Sequence, residues 1–407
     1  MTAVADREQI PAGAWRILAL GVGAQASGTV LVSTPAYLIP LLHLHRGMPL
    51  AEAGLLSAAP TFGTMLTLVA WGALADARGE RWVIAGGLGL TSVFAFAAAF
   101  VPGYIGLGLV LILGGAAAAS SNAASGRVVA GWFPRSRRGL AMGVRQMSQP
   151  LGVAITALAV PALASRFGVG GPLILAGVLT AVLTVACAFG IVNPPRVTSA
   201  GDPAPAGEAS APVRAASPYR GTWFLGRIHL LSALLVFPQF TLSTFGLIWL
   251  VTALHWNPTA AGSIIAAAQV IGALGRIAVG VVSDRVGSRV RVLRWVAVSG
   301  VIVMLALAGC GALHWSAVSA VVLVIASMVS VADNGLSYTS IAEAAGPSWS
   351  GKALGIQNTG QFLVASVVGP GIGALIGVVG YPVSFALVAL TPLAAFPLVP
   401  ARDRHWA

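Results

Sequence analysis

Four residues carry charge inside stretches otherwise made of apolar and small side chains: Arg127, Arg145, Arg276 and Asp333. A guanidinium in apolar surroundings is expensive unless something pairs with it. Its planar fork also matches a carboxylate through two parallel hydrogen bonds. Each such arginine is therefore either a ligand for a small anion or a structural charge. Arg127 stands near the end of its stretch, where a long stem can snorkel to the surface, and the structural reading is preferred there. Arg145 has Gln149 one helical turn on and stays open to both roles. Asp333 is the one acid in such surroundings, and an ionised carboxylate there is costly. It is a proton-coupling site, an ion pair with Arg145 or Arg276 that substrate displaces, or a packing carboxylate bonded to Ser330 or Ser337.

Soluble-enzyme chemistry is nearly absent. The six histidines are scattered at the ends of apolar stretches or in the tails, without metal-ligand spacing. Cys187 and Cys310 both lie within apolar stretches and indicate neither a disulfide framework nor a metal site. No Gly-Lys phosphate loop occurs. We expect no enzyme activity, no cofactor, no metal and no ATP drive.

The elements that hold these residues are set by composition. Only 8% of the 407 residues are Asp, Glu, Lys or Arg, against about 25% in a soluble domain. Hydrophobic residues make up 57%, and the mean hydropathy is +0.88. Lipid accepts such a surface and water does not. The net charge of +12 sits in short loops rather than in a stripe or patch, so nucleic acid is not a partner. The first apolar run is far longer than a signal sequence's core, and no cleavable signal is expected.

Uncharged stretches divided by turn signals predict twelve membrane helices, at 14–42, 52–75, 82–101, 104–131, 140–164, 170–192, 222–252, 259–282, 293–312, 316–342, 353–376 and 382–400. One set of loops and tails holds eighteen Lys and Arg residues, and the opposite set holds only Arg46 and Arg166. That bias predicts cytoplasmic termini in an inner membrane. Residues 194–221 are rich in Pro, Ala, Gly and Ser and read as a cytoplasmic linker between an N-terminal half, 1–193, and a C-terminal half, 222–407. At ~1.5 Å per residue, Asn122, Gln149, Asn334 and Gln361 fall near one membrane depth. Gln25, Gln239 and Gln269 add amides on helices one, seven and eight, and Tyr338 shares a helix face with Asn334. Interhelical glue is the common role of single amides. Their shared depth reads as the lining of a cavity.

The two halves repeat each other. GALADARGER (Gly72–Arg81) and GVVSDRVGSR (Gly280–Arg289) share G-x-x-x-D-x-x-G-x-R at an offset of 208. RGLAMGVRQMSQ (Arg138–Gln149) matches SGKALGIQNTGQ (Ser350–Gln361), and Ser121-Asn122 matches Asp333-Asn334, both at an offset of 212. With the signature in both halves and a long linker, the chain resembles the major facilitator superfamily over essentially its whole length. The resemblance implies an all-α fold of twelve helices in two pseudo-symmetric halves that rock about a central site. It also implies that Gly72, Asp76, Gly79 and Arg81, with Gly280, Asp284, Gly287 and Arg289, form a conformational latch. In the oxalate/formate and monocarboxylate branches an arginine placed like Arg276 binds the substrate carboxylate. The lysine that the oxalate branch carries in helix eleven is replaced here by Gln357 and Asn358, which favours a monoanion. Drug antiporters often carry an arginine in the outer half of helix four, whereas residues 106–119 here hold no charge.

These readings favour a monomeric secondary transporter of a small organic anion, a monocarboxylate, coupled to protons or to exchange by symport or antiport. The alternative is a proton-driven drug or metabolite exporter of the same fold. The substrate-binding candidates are Arg276, Arg145, Asn122, Gln149, Asn334, Tyr338, Gln361, Gln25, Gln239 and Gln269, and the proton-coupling candidate is Asp333.

Overall fold

The computed structural model describes residues 11, 13–133, 138–193, 217–220, 222–346 and 349–404. Within helices, the side chains of Asp76, 126–131, 138–140, 350 and 351 also lie outside the described set. Most of the expected linker, both chain ends and the side chains of Asp76 and Arg127 are therefore outside the described residues.

The described chain is helical throughout its apolar stretches. With no water in a bilayer core, each span must satisfy its own backbone, and a helix does so. The helices are α1 (Ala14–Pro40), α2 (Leu50–Arg78), α3 (Glu80–Phe100), α4 (Tyr104–Trp132), α5 in two segments (Arg138–Gln146 and Ser148–Phe167), and α6 (Gly170–Gly190). After the linker come α7 (Phe224–Thr252), α8 (Pro258–Val286), α9 (Arg289–Ala312) and α10 in two segments (Ser316–Ser330 and Ala332–Ala345). The last run, Ser350–Val388, turns sharply at Gly380 (φ 76°, ψ 174°). We number its two arms α11 (350–379) and α12 (381–388), the second continued by Leu390–Ala395.

Among the described residues, eleven helical runs are long and apolar enough to cross a membrane, the last being Lys352–Leu398 with 47 residues. At ~1.5 Å per residue that run would reach about 70 Å, more than twice a ~30 Å hydrocarbon core. The turn at Gly380 therefore makes it two crossings and brings the total to twelve.

Duplication is visible in the turns. Positive φ occurs at Gly47 and His255, Gly79 and Gly287, Gly103 and His314, and Gly168 and Gly380. Members of each pair are 208 to 212 residues apart. Histidine tolerates the left-handed region better than most residues, so the second half keeps two of these turns without glycine.

The packing between α2, α5, α8 and α11 is tight at one end only. A Cβ on Gly54 would overlap the carbonyl of Gly369, and one on Gly369 would overlap the carbonyl of Gly54. A Cβ on Gly262 would likewise meet the carbonyl of Ala157, and one on Gly373 the carbonyl of Leu50. The repeat offsets relate Gly54 to Gly262 and Ala157 to Gly369, so the first two contacts are two-fold equivalents. At the opposite end of the same four helices, Gly72, Gly143, Gly280 and Gly355 face open space. Those four are also repeat counterparts, 72 with 280 and 143 with 355.

Candidate functional site

A cavity of about 160 Å³ lies between the two sets of helices. Six of the residues expected at the site line it: Gln25 on α1, Asn122 on α4, Gln149 on α5, Gln239 on α7, and Gln269 and Arg276 on α8. Tyr37, Phe240 and Phe362 supply aromatic wall, and Ser57, Thr61 and Thr64 on α2 supply hydroxyls.

Two matched amide bridges tie the wall together. Gln25 Nε2 donates to Asn122 Oδ1 (3.4 Å), and Asn334 Nδ2 donates to Gln239 Oε1 (3.1 Å). Asn122 and Asn334 are repeat counterparts, and so are the helices that carry their partners. Each asparagine is also held from the helix that follows its own. Arg145 donates through Nη2 to Asn122 Oδ1 (3.2 Å) and to its backbone carbonyl (2.9 Å). Gln361 Nε2 donates to Asn334 Oδ1 (2.9 Å).

The two arginines then differ. Arg145 also donates through Nε to Ser125 Oγ (2.9 Å) and through Nη1 to Gln146 Oε1 (3.1 Å), so all three of its nitrogens are engaged within the protein. Ser125 in turn donates to Gln25 Oε1 (3.2 Å). Arg276 lines the cavity, and its buried Nε has no hydrogen-bond partner among the described residues.

Asp333 is fully buried, with 0% of its surface exposed, and it does not line the cavity. Its Oδ2 accepts from Ser232 Oγ on α7 (3.1 Å), while its Oδ1 has no partner among the described residues. The packing partner is thus Ser232 rather than Ser330 or Ser337: Ser330 donates to the Ser327 carbonyl, and Ser337 Oγ has no partner among the described residues. Helix α10 breaks at Val331, so Asp333 sits in the first turn of the second segment, where free backbone N–H groups favour a carboxylate. Asp333 and Arg276 lie within each other's electrostatic reach but form no direct ion pair among the described residues. Tyr338 joins the same cluster, donating to Gln361 Oε1 (3.2 Å) and to Asn358.

Each signature arginine is held, and the side chain of Asp76 lies outside the described residues. In the second signature, Arg289 meets Asp284 at 2.5 Å and Glu343 at the end of α10 at 3.5 Å. In the first, Arg81 Nε donates to the Ala188 carbonyl on α6 (2.7 Å), and its guanidinium lies 4.9 Å from the centre of the Trp82 ring.

Sequence reasoning missed Ser125, Ser232 and Glu343. Nothing marked the serines, which are common in these helices. Glu343 did carry a signal, as an acid beside a loop that ends at the second signature's depth.

A model of the Major Facilitator Superfamily matches residues 21–370. The chain belongs to the major facilitator superfamily. An uncharacterised MFS-type transporter of Mycobacterium tuberculosis (strain ATCC 25618 / H37Rv) is 45% identical over 389 residues, covering 95% of this chain and 85% of that protein. A protein named probable anion transporter 3, chloroplastic, from Oryza sativa subsp. japonica is 30% identical over 146 residues, 34% of this chain and 27% of its own length. Among solved structures, a bacterial homologue of the human lysosomal transporter Spinster, in an inward-facing and occupied conformation, superposes with a TM-score of 0.79. It shares 14% identity and covers 96% of both chains. As a superfamily member, the chain is a multi-pass integral membrane transporter of a small molecule and not an enzyme.

Proposed function

We propose that this protein carries a small organic monoanion, a monocarboxylate, together with a proton. The observation that carries this reading is Arg276, on the cavity wall with a buried, unpartnered donor and in the field of Asp333. When Asp333 is ionised, its charge offsets that of Arg276 and weakens the pull on a second anion. When Asp333 is protonated, the guanidinium is free to take the substrate carboxylate. Proton and anion thus favour each other's binding, which is the linkage a symporter needs. One free arginine fits a monoanion, since the donors of Arg145 are engaged within the protein. The amides Gln25, Gln149, Gln239 and Gln269 supply neutral donors and acceptors around the rest of the solute. The names of the plant relatives, as anion transporters, agree with this class.

In this reading residues 1–193 and 222–407 are the moving bodies and 194–221 is the connection between them. The loops with the signatures and the arginine bias lie on the cytoplasmic side of the inner membrane, with both termini. The tight glycine contacts are then outside, and the arrangement is inward-open. Arg289, Asp284 and Glu343 form the latch of the second body. The protein works as a monomer.

The test is uptake into proteoliposomes with a panel of labelled monocarboxylates, dicarboxylates and neutral analogues, with and without an inward proton gradient. Accumulation of a monocarboxylate only with the gradient supports the proposal. Transport of neutral or cationic solutes alone would overturn it.

A further inference from the structure

Asp333 is sealed from the cavity, yet a coupling proton must reach it and leave it. Arg276, the charged group on the cavity side, is a permanent cation and no route for a proton. A polar column runs the other way, between α7 and α11. Its upper rung is Ser232, bonded to Asp333 and accepting from Gln361 Nε2 (3.0 Å). One turn nearer the start of α7, His229 faces Gln357, itself one turn before Gln361 on α11. His229 Nδ1 lies 2.8 Å from Gln357 Oε1, and its Nε2 lies 3.0 Å from the Tyr219 hydroxyl. The two rings stack with centroids 6.0 Å apart and planes 18° apart. Tyr219 precedes α7, so the column ends at the same end of the bundle as the signature loops. Gln357 is 2% exposed, and its Nε2 is buried without a partner among the described residues, a spare donor at the level between the rungs.

The hydrogen bonds define the chemistry of His229. Gln357 presents a carbonyl oxygen, so Nδ1 carries hydrogen and Nε2 is the basic nitrogen, accepting from Tyr219. The ring can gain a proton at Nε2 without losing its bond to Gln357. Two charged groups nearby are otherwise engaged, while Arg220, next to Tyr219, is exposed. Arg227 donates to the carbonyls of Pro397, Leu398 and Val399, and Lys352 lies 4.7 Å from the centre of the Trp349 ring, whose edge meets Tyr219. Asp333 is the acid that faces this column.

We propose that His229 is a second proton-binding site, exchanging protons between Asp333 and solution past Tyr219 on a path separate from the substrate cavity. In the incoming step an N–H bond forms at Nε2 with a proton from water beside Tyr219, giving an imidazolium. The N–H bond at Nδ1 then breaks and an O–H bond forms on the Asp333 carboxylate, leaving a neutral ring with its hydrogen on Nε2; the outgoing step is the reverse. This inference rests on the reading of Asp333 as the coupling site.

The test uses protons alone as the probe. The full chain in lipid is followed by time-resolved infrared absorption after light releases protons from a caged acid. The carboxyl band of Asp333 is assigned by its absence in Asp333→Asn. We expect His229→Gln and His229→Asn to slow the rise of that band by about tenfold or more, the scale of a lost proton-transfer group. Imidazole in the buffer should restore the rate in His229→Ala. Unchanged rates in both the Gln and Asn variants would overturn the relay. Slowing that imidazole does not relieve would also overturn it, since that is the mark of a structural role. If the wild type shows no Asp333 carboxyl band that responds to protons, the coupling role of Asp333 falls and the relay falls with it.

Discussion

Replacing Gly54 by Ala should move the protein out of the arrangement described above. The carbonyl of Gly369 occupies the place of the new methyl group, and the opposing surface is backbone, which cannot rotate aside. Overpacking of this kind costs about 1–3 kcal/mol. If the other conformation separates these helices, the whole cost falls on one state, and the equilibrium shifts roughly 5- to 150-fold. Gly72→Ala is the control of opposite sign. Its Cβ meets nothing within 4 Å here, but closure at that end would bring α2 against α11. Both changes raise helix propensity by a similar ~1 kcal/mol, so that contribution cancels in the comparison. Spin labels at Glu52→Cys and Thr259→Cys, both exposed at the starts of α2 and α8, would report the distance across the tight end. The buried Cys187 and Cys310 are first replaced by alanine. Gly54→Ala should increase the long-distance population and Gly72→Ala should decrease it. Shifts in the same direction, or none, would refute the two-ended glycine account.

Other consequences are accessible to simpler assays. Arg276→Gln should weaken monocarboxylate binding about 10- to 150-fold, the value of a charge-assisted hydrogen bond of ~1.5–3 kcal/mol, as read by calorimetry. Arg145→Gln should instead lower the melting temperature, because it unties α5 from Ser125 and Asn122; equal binding losses in the two variants would contradict this division. Glu343→Gln should change the transport rate by no more than about fivefold, because exposed ion pairs contribute ~0–1 kcal/mol, with substrate affinity unchanged in equilibrium binding. Reporter fusions at Ala407 and within 194–216 should be active only in the cytoplasm, and periplasmic activity would reverse the orientation.

Much of this architecture is legible in the residues. The apolar runs and turn signals locate the helices, and the expected split at Gly380-Tyr381-Pro382 corresponds to the turn at Gly380. The repeats relate Asn122 to Asn334, and the two make matching bonds, to Gln25 and to Gln239. What escaped depends on contacts between helices distant in sequence. The break at Val331 has no proline to announce it, and 316–342 reads as continuous; the break at Met147 does have one, since Pro150 cannot donate to the Gln146 carbonyl, yet 140–164 also reads as continuous. The partner of Asp333 could be guessed only among its neighbours in sequence, whereas Ser232 is 101 residues away. The two arginines looked alike for a similar reason. Only the positions of Ser125 and Asn122 reveal that Arg145 is engaged, while Arg276 Nε has no partner among the described residues.

The central claim is that Asp333 couples a proton to the anion held by Arg276. Its most direct test is Asp333→Asn in proteoliposomes, with the labelled monocarboxylate identified by the panel. The amide keeps the shape and the place for the Ser232 bond, but it carries no proton in and out. Accumulation driven by an inward proton gradient should fail, while exchange of labelled for unlabelled substrate at equal pH should continue. Normal gradient-driven accumulation by this variant would contradict the account.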